Sequence, residues 1–175
     1  TTGPDGSAKV PNLLPMVYEV IEKSVPSPYL LDADPQLVTL YPNRDRDVYF
    51  ENHKAPTIEI IKENSITHER LANVRFQVWY ASNDTETGEY NDLGVFTTDE
   101  NGRIELTGPA NGLRDGWFRV KELEPPTGFS IKDSDTQEAF IPAGKGHTFL
   151  FENPPLSALI VYKQDSVSGE GLSGC

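Results

Sequence analysis

Apolar and polar positions trade places every residue or two along much of this chain. The runs "VRFQVWY" (74–80), "GRIEL" (102–106), "WFRVKEL" (117–123), "EAFIP" (138–142) and "HTFLFEN" (147–153) all show it. Successive side chains of an extended backbone point to opposite faces, so this period predicts strands with one face on a core. Clusters of Gly, Pro, Asn and Asp separate the runs and predict turns. No stretch places apolar residues convincingly at i, i+3, i+4 and i+7, so helix is nearly absent from the expectation. Many short strands at this spacing predict an all-β sandwich or barrel.

The core-facing rows end oddly. Ile58, Ile60 and Lys62 share a face, as do Phe118, Val120 and Glu122, and Phe149, Phe151 and Asn153. Each row runs apolar, apolar, polar. The same phase recurs in Tyr18, Val20 and Glu22, in Val48, Phe50 and Asn52, and in Leu159, Val161 and Lys163.

These rows are copies. "YFENHKAPTIEIIKEN" (49–64) answers "FLFENPPLSALIVYKQD" (149–165), and Asn52–Asn153 and Lys62–Lys163 are each 101 residues apart. "TTGPDGSAKV" aligns with "TTDENGRIEL" (97–106), and "VYEVIEKSVPSPYL" with "WFRVKELEPPTGFS". A period of about 100 residues is one domain, not one turn of a solenoid. The phase predicts the trailing part of a first repeat in 1–55, a complete repeat in 56–155 and the opening of a third in 156–175. Proline in the joints "HKAP" and "PPLS" predicts stiff spacers. With no methionine at its start, the chain reads as an internal piece of a longer protein.

A lysine, a carboxylate and an asparagine on three rows of one core suggest chemistry. Burial lowers a lysine pKa and raises a glutamate pKa, which brings a neutral amine and a neutral acid within reach. A neutral amine is a nucleophile. Attack by Lys62 on the Asn153 side chain, with Glu122 shuttling the proton, would release ammonia and leave an amide between the first and last strands. The bland alternative is a buried or edge ion pair beside an asparagine that ends a strand, where lysines often snorkel.

The 27 acidic and 15 basic residues give a formal charge of −12, which repels nucleic acid and anionic lipid. No run approaches the roughly 18–20 apolar residues of a membrane helix, so no membrane insertion is expected in this segment. The one cysteine, Cys175, excludes a disulfide within the chain. Among "NDTETGEYND" (83–92), Asp84, Glu86, Glu89 and Asp92 fit no EF-hand and read as a solvated loop, beside a glycosylation sequon at Asn83. His53, His68 and His147 lack metal spacing; no metal site and no cofactor is expected. Trp79 and Trp117 fall on the faces away from the core, where they could mark a sugar or partner surface or a contact between domains. No phosphate loop or Ser/His/Asp arrangement can be recognised, so the chain does not read as an enzyme.

Three motifs together resemble a known family. "IEIIKENSITHERLANVRFQV" is similar to the first strand, turn and second strand of the Cna-B/SpaA-type prealbumin-like repeats of Gram-positive surface proteins and pilins. "FRVKELEPPTGF" resembles their glutamate-bearing strand, and "FLFENPP" their closing strand. The resemblance covers 56–155 fully and both ends in matching phase. It implies tandem prealbumin-like (transthyretin/Ig-like) β-sandwiches, one complete and two partial. It also implies an intramolecular isopeptide site of Lys62, Glu122 and Asn153, with Glu122 as the proton shuttle. By the same token Glu22 and Asn52 belong to a site whose lysine lies upstream, and Lys163 to one whose partners lie beyond Cys175. The chain departs from the pattern at Asn64, where the family has an acid that Asp165 keeps, at Pro125 in place of alanine, and in "SPYL", which lacks the glycine. "TLYPNRD" (39–45) resembles the Tyr-Pro-Lys segment that joins some pilins, but Asn43 stands in the lysine position and repeat alignment makes it a turn.

The implied role is a structural stalk of an adhesin or pilin-like protein, extracellular and either cell wall-anchored or secreted. Its partners would be neighbouring repeats of the same chain, with host extracellular matrix reached through another domain. The alternatives are a ligand-binding adhesin module for collagen, fibrinogen or glycan, and an accessory domain of a secreted enzyme.

Overall fold

A computed structural model of the protein describes residues 1–82, 89–131 and 134–174. Asn83, Asp84, Glu86 and Cys175 lie outside the described residues. In chain order the strands are β1 (Val17–Val20), β2 (Gln36–Thr39), β3 (Thr57–Asn64), β4 (Arg75–Ala81), β5 (Asn91–Thr97), β6 (Arg103–Thr107), β7 (Gly116–Glu122), β8 (Thr136–Ile141) and β9 (Gly146–Asn153). The described residues hold no α-helix, only a 3-10 turn at Pro109–Asn111. The fold class is all-β, as the alternation predicts.

Residues 57–153 form two facing sheets, one ordered β6-β3-β9 and the other β5-β4-β7-β8. The first strand of this unit lies parallel to its last: β3 and β9 pair from Thr57↔Gly146 to Asn64↔Asn153. Its other neighbour, β6, is antiparallel. The facing sheet is antiparallel throughout.

The predicted rows are the interior. Ile58 and Ile60 of β3, Phe76 and Val78 of β4, Phe118 and Val120 of β7, and Phe149 and Phe151 of β9 are all buried in one cluster. Across it the Phe76 and Phe151 rings stand 4.9 Å apart, a tilted aromatic contact joining the two sheets. Trp79 and Trp117 face away from this cluster, as expected; Trp117 is exposed and sits edge-on to Phe140 with centroids 5.7 Å apart.

One strand was not legible. β5 reads "NDLGVFT", whose Asn, Asp and Gly disfavour strands. Tertiary pairing overrides that: β5 adds to β4 across a register shift at Val78/Trp79, with Gly94 at φ 115 beside it. Asp92 accepts hydrogen bonds from the Gln77 side chain and from the Gly94 amide there, so this acid of the predicted solvated loop serves the edge of a sheet.

The backbone on either side of Lys62 is fixed. Its amide donates to the Gly102 carbonyl at 2.9 Å, and its carbonyl accepts from Leu71 at 2.9 Å. The turn after β3 is tied by Asn64, whose Oδ1 accepts the amides of Ile66 (2.9 Å) and Thr67 (3.3 Å). Asn64, in the position where the family resemblance leads one to expect an acid, supplies the same acceptor.

Before and after this unit the hydrogen bonds repeat themselves. Tyr29→Pro26 and Phe129→Pro126 are both 3.0 Å. Ala55→Pro28 and Leu156→Gly128 are both 2.8 Å. β1–β2 pairs as β7–β8 does. At the far end, Asp165→Glu170 (2.8 Å) and Leu172→Lys163 (2.8 Å) copy Asn64→Glu69 (2.9 Å) and Leu71→Lys62 (2.9 Å). The segment resembling Tyr-Pro-Lys is a turn, with the Arg44 amide on the Tyr41 carbonyl and Asn43 at φ 55.

Gly102 has φ +64, and a Cβ there would lie 2.7 Å from the Lys62 carbonyl oxygen. The left-handed backbone alone makes Gly102→Ala destabilising by about 1–2 kcal/mol. Since the contacted atom is backbone, urea unfolding is expected to show a larger loss.

Candidate functional site

Lys62, Glu122 and Asn153 end their rows inside the sandwich, and they converge. Lys62 comes from β3 and Asn153 from β9, neighbours in one sheet; Glu122 comes from β7 in the facing sheet. They are 0%, 1% and 1% exposed, which removes the snorkelling alternative for Lys62.

Glu122 touches both other groups with different oxygens. Its Oε2 lies 3.8 Å from Lys62 Nζ, and its Oε1 accepts from Asn153 Nδ2 at 2.7 Å. Lys62 Nζ also donates to the Phe151 carbonyl at 3.2 Å and reaches the Glu63 carbonyl at 3.5 Å. Phe151 is the register partner of Lys62, and Phe76 that of Glu122. The two rings in contact thus form one apolar wall of the site.

Desolvation dominates the electrostatics. It pulls the Lys62 pKa down from 10.5 to about 8, against the opposing pull of Glu122 and, more weakly, of Glu152 and Glu63. It pushes Glu122 above the usual carboxylate range, against Lys62 and the Asn153 hydrogen bond. The two shifts run in opposite directions, and both favour the uncharged forms, amine for Lys62 and acid for Glu122.

Residues 56–153 match the sequence profile of SpaA, described as a prealbumin-like fold domain. The chain belongs to that family. Solved structures similar to this SpaA-family chain include three from Gram-positive settings. The Bacillus anthracis TIE protein is 22% identical over 89% of this chain and 28% of that one, with TM-score 0.47. A streptococcal ancillary pilin is 20% identical over 80% and 45%, with TM-score 0.49. The minor pilin of Streptococcus agalactiae is 20% identical over 93% and 70%, with TM-score 0.46. The chain therefore spans 28% and 45% of the length of the first two. No curated protein matches the sequence.

In this SpaA-family chain Glu22, Asn52 and Lys163 lie apart from that cluster. Asn52 Nδ2 donates to Glu22 Oε2 at 2.7 Å, the counterpart of the Asn153–Glu122 bond, but both side chains are only half-buried. Lys163 is exposed.

Sequence spacing missed one cluster. On the outer face of the same strands, Glu63 and Glu152 are direct register partners. His68 Nδ1 lies 3.0 Å from Glu63 Oε1 and 3.9 Å from Glu152 Oε1, and Arg70 pairs with Glu63 at 3.3 Å. Ligand atoms of these two glutamates and His68 all lie within 4.8 Å of one another. Like charges directly opposed on strands are unfavourable, and the Arg70 guanidinium offsets them. Glu152 lies far from His68 in sequence; only the parallel β3–β9 pairing brings them together. No helix among the described residues is long and apolar enough to cross a membrane.

A free Lys62 has a pH signature with a definite sign. Between its folded value of about 8 and its unfolded value of 10.5, the unfolded chain binds more protons, so stability rises with pH. Urea unfolding across that window is expected to show the rise, and Lys62→Met, which fills similar space without titrating, to lack it. A Lys62 already consumed in an amide shows no rise either.

Proposed function

We propose that this chain is a load-bearing stalk segment of a Gram-positive surface protein or pilin, built of tandem prealbumin-like repeats and welded by a self-formed Lys62–Asn153 isopeptide bond. The observation that carries the reading is the burial of Lys62, Glu122 and Asn153 around one carboxylate in a water-excluded core.

The division of labour between the Glu122 oxygens supports a mechanism. Neutral Lys62 Nζ attacks Cγ of Asn153. The proton it sheds passes to Oε2, on the amine side. Oε1, already bonded to Nδ2, protonates the departing nitrogen. The Nζ–Cγ bond forms, the Cγ–Nδ2 bond breaks, ammonia leaves, and Glu122 ends as it began. The strand pair supplies proximity in place of an external catalyst.

The mechanical role follows from the parallel pairing. Tension entering before Thr57 and leaving after Asn153 reaches β3 and β9 at opposite ends. A Lys62–Asn153 bond carries that load directly and leaves residues 63–152 outside the force path. Extension to repeats in 1–55 and 156–175 rests on the recurring hydrogen bonds described above. The setting is extracellular, with neighbouring repeats of the same chain as partners.

Intact mass of the protein tests the bond. One ammonia is expected to be missing per crosslink, with the full mass restored in Lys62→Ala and in the near-isosteric Glu122→Gln. An undiminished wild-type mass would leave only the buried ion pair. Closing a loop of this length stabilises by about 4–5 kcal/mol, so Glu122→Gln is expected to unfold at correspondingly lower denaturant. Under single-molecule pulling the wild-type unit is expected to stay short, whereas Lys62→Ala releases about 3.3–3.6 Å for each residue of 63–152.

A further inference from the structure

The outer face of β3 and β9 carries donors that the Lys62–Asn153 reaction does not use. Lys62 and Asn153 end rows that face the core, while Glu63 and Glu152, each one step along its strand, fall on the other face as register partners. The turn after β3 returns to the same place. Glu63 bridges Arg70, and the His68 amide donates to the Asn64 carbonyl at 2.9 Å. An imidazole is thereby set against two carboxylates that belong to different strands.

The separations suit one small ion. His68 Nδ1 lies 3.0 Å from Glu63 Oε1 and 3.9 Å from Glu152 Oε1, and the ligand atoms of all three residues lie within 4.8 Å of one another. Neighbouring donors on a zinc tetrahedron, with bonds of about 2.0–2.1 Å, stand about 3.3–3.4 Å apart. The two His68 separations bracket that value. Rotation of the Glu152 and His68 side chains, 28% and 66% exposed, closes the rest. Glu63 is the fixed member, at 8% exposure. Its other oxygen, Oε2, is held by Arg70 at 3.3 Å, the kind of outer contact that orients a ligating carboxylate.

The donor set also selects the ion. Calcium and magnesium take oxygen ligands, whereas an imidazole with two carboxylates suits zinc. Binding through Nδ1 uses the tautomer protonated at Nε2. Three protein donors leave a fourth position for water, and the exposure of His68 gives water and ion a way in.

We propose that Glu63, His68 and Glu152 form a site for a divalent ion of the zinc class, which clips β3 to β9 on the face opposite Lys62 and Asn153. The ion places positive charge between two carboxylates that oppose each other in register. Glu152 joins the other two donors only when β9 lies parallel to β3, so the full set exists in the folded chain alone. Binding therefore stabilises the fold by mass action. The site stands whether or not the isopeptide bond forms.

The test titrates zinc chloride into the metal-free 175-residue protein by calorimetry, and cobalt(II) while reading visible absorption. Expected are one saturable ion per chain, the intense cobalt bands of a four-coordinate site, and a urea midpoint that rises with zinc. Magnesium and calcium at equal concentration are expected not to compete. His68→Gly, which suits the left-handed backbone there (φ 57), and Glu152→Gln are each expected to lose the saturable binding and the zinc-dependent rise. Cooperative urea unfolding of both variants without metal shows that they fold. His53→Ala is expected to keep both effects. A wild-type protein that binds no zinc overturns the proposal. Binding that persists in either variant also overturns it, as an adventitious ion only. Binding without a rise in the urea midpoint overturns the clip between strands. Intact mass of the same samples reports the isopeptide bond separately, so either reading can fail without the other.

Discussion

A lysine at 0% exposure is the constraint around which the complete unit is arranged. An ammonium taken out of water costs several kcal/mol unless it is paired and hydrogen-bonded. The protein meets that cost with a carboxylate from the opposite sheet and a carbonyl from the neighbouring strand. Each solution imposes something on the fold. Glu122 must end its strand opposite Lys62, which fixes the register of β7 against β4. The Phe151 carbonyl must face Nζ, and the parallel β3–β9 register sets it there. Phe76 and Phe151 then close the apolar side, so the same rings that join the sheets also exclude the water that would keep Lys62 charged.

The chemistry and the architecture are therefore not separable. A site in a cleft can be altered without touching the core; this one is the core at its end. Its partners are spread over the first, a middle and the last strand of the unit, so they meet only once the sandwich has closed. Chemistry that depends on all three follows folding and does not compete with it.

Much of this was legible in the residues. Alternation placed Ile58, Ile60 and Lys62 on one face because a strand has period 2 and tolerates no slip without turning the whole row over. The repeat then assigned equal roles to Glu22, Asn52 and Lys163. Hidden from sequence were features made by pairing between distant segments. β5 carries Asn, Asp and Gly and becomes a strand only because β4 offers it an edge. The Glu63–His68–Glu152 cluster needs the parallel β3–β9 register, which no local pattern states. That Asn52 and Glu22 bond to each other could be inferred from the repeat, in which they stand where Asn153 and Glu122 do.

The joint before the complete unit has a further consequence. Ala55 is buried and its amide is held by the Pro28 carbonyl, the Lys54 carbonyl accepts from Gly144, and Leu30 packs on the core of the unit that follows. With Pro56 adding a locked φ, little torsional freedom is left at this point. Bending there requires breaking backbone hydrogen bonds and uncovering apolar surface. Lengthening such a molecule by further units with like joints would therefore add reach almost in proportion to their number, as in a rod, and not with the square-root growth of a flexible coil.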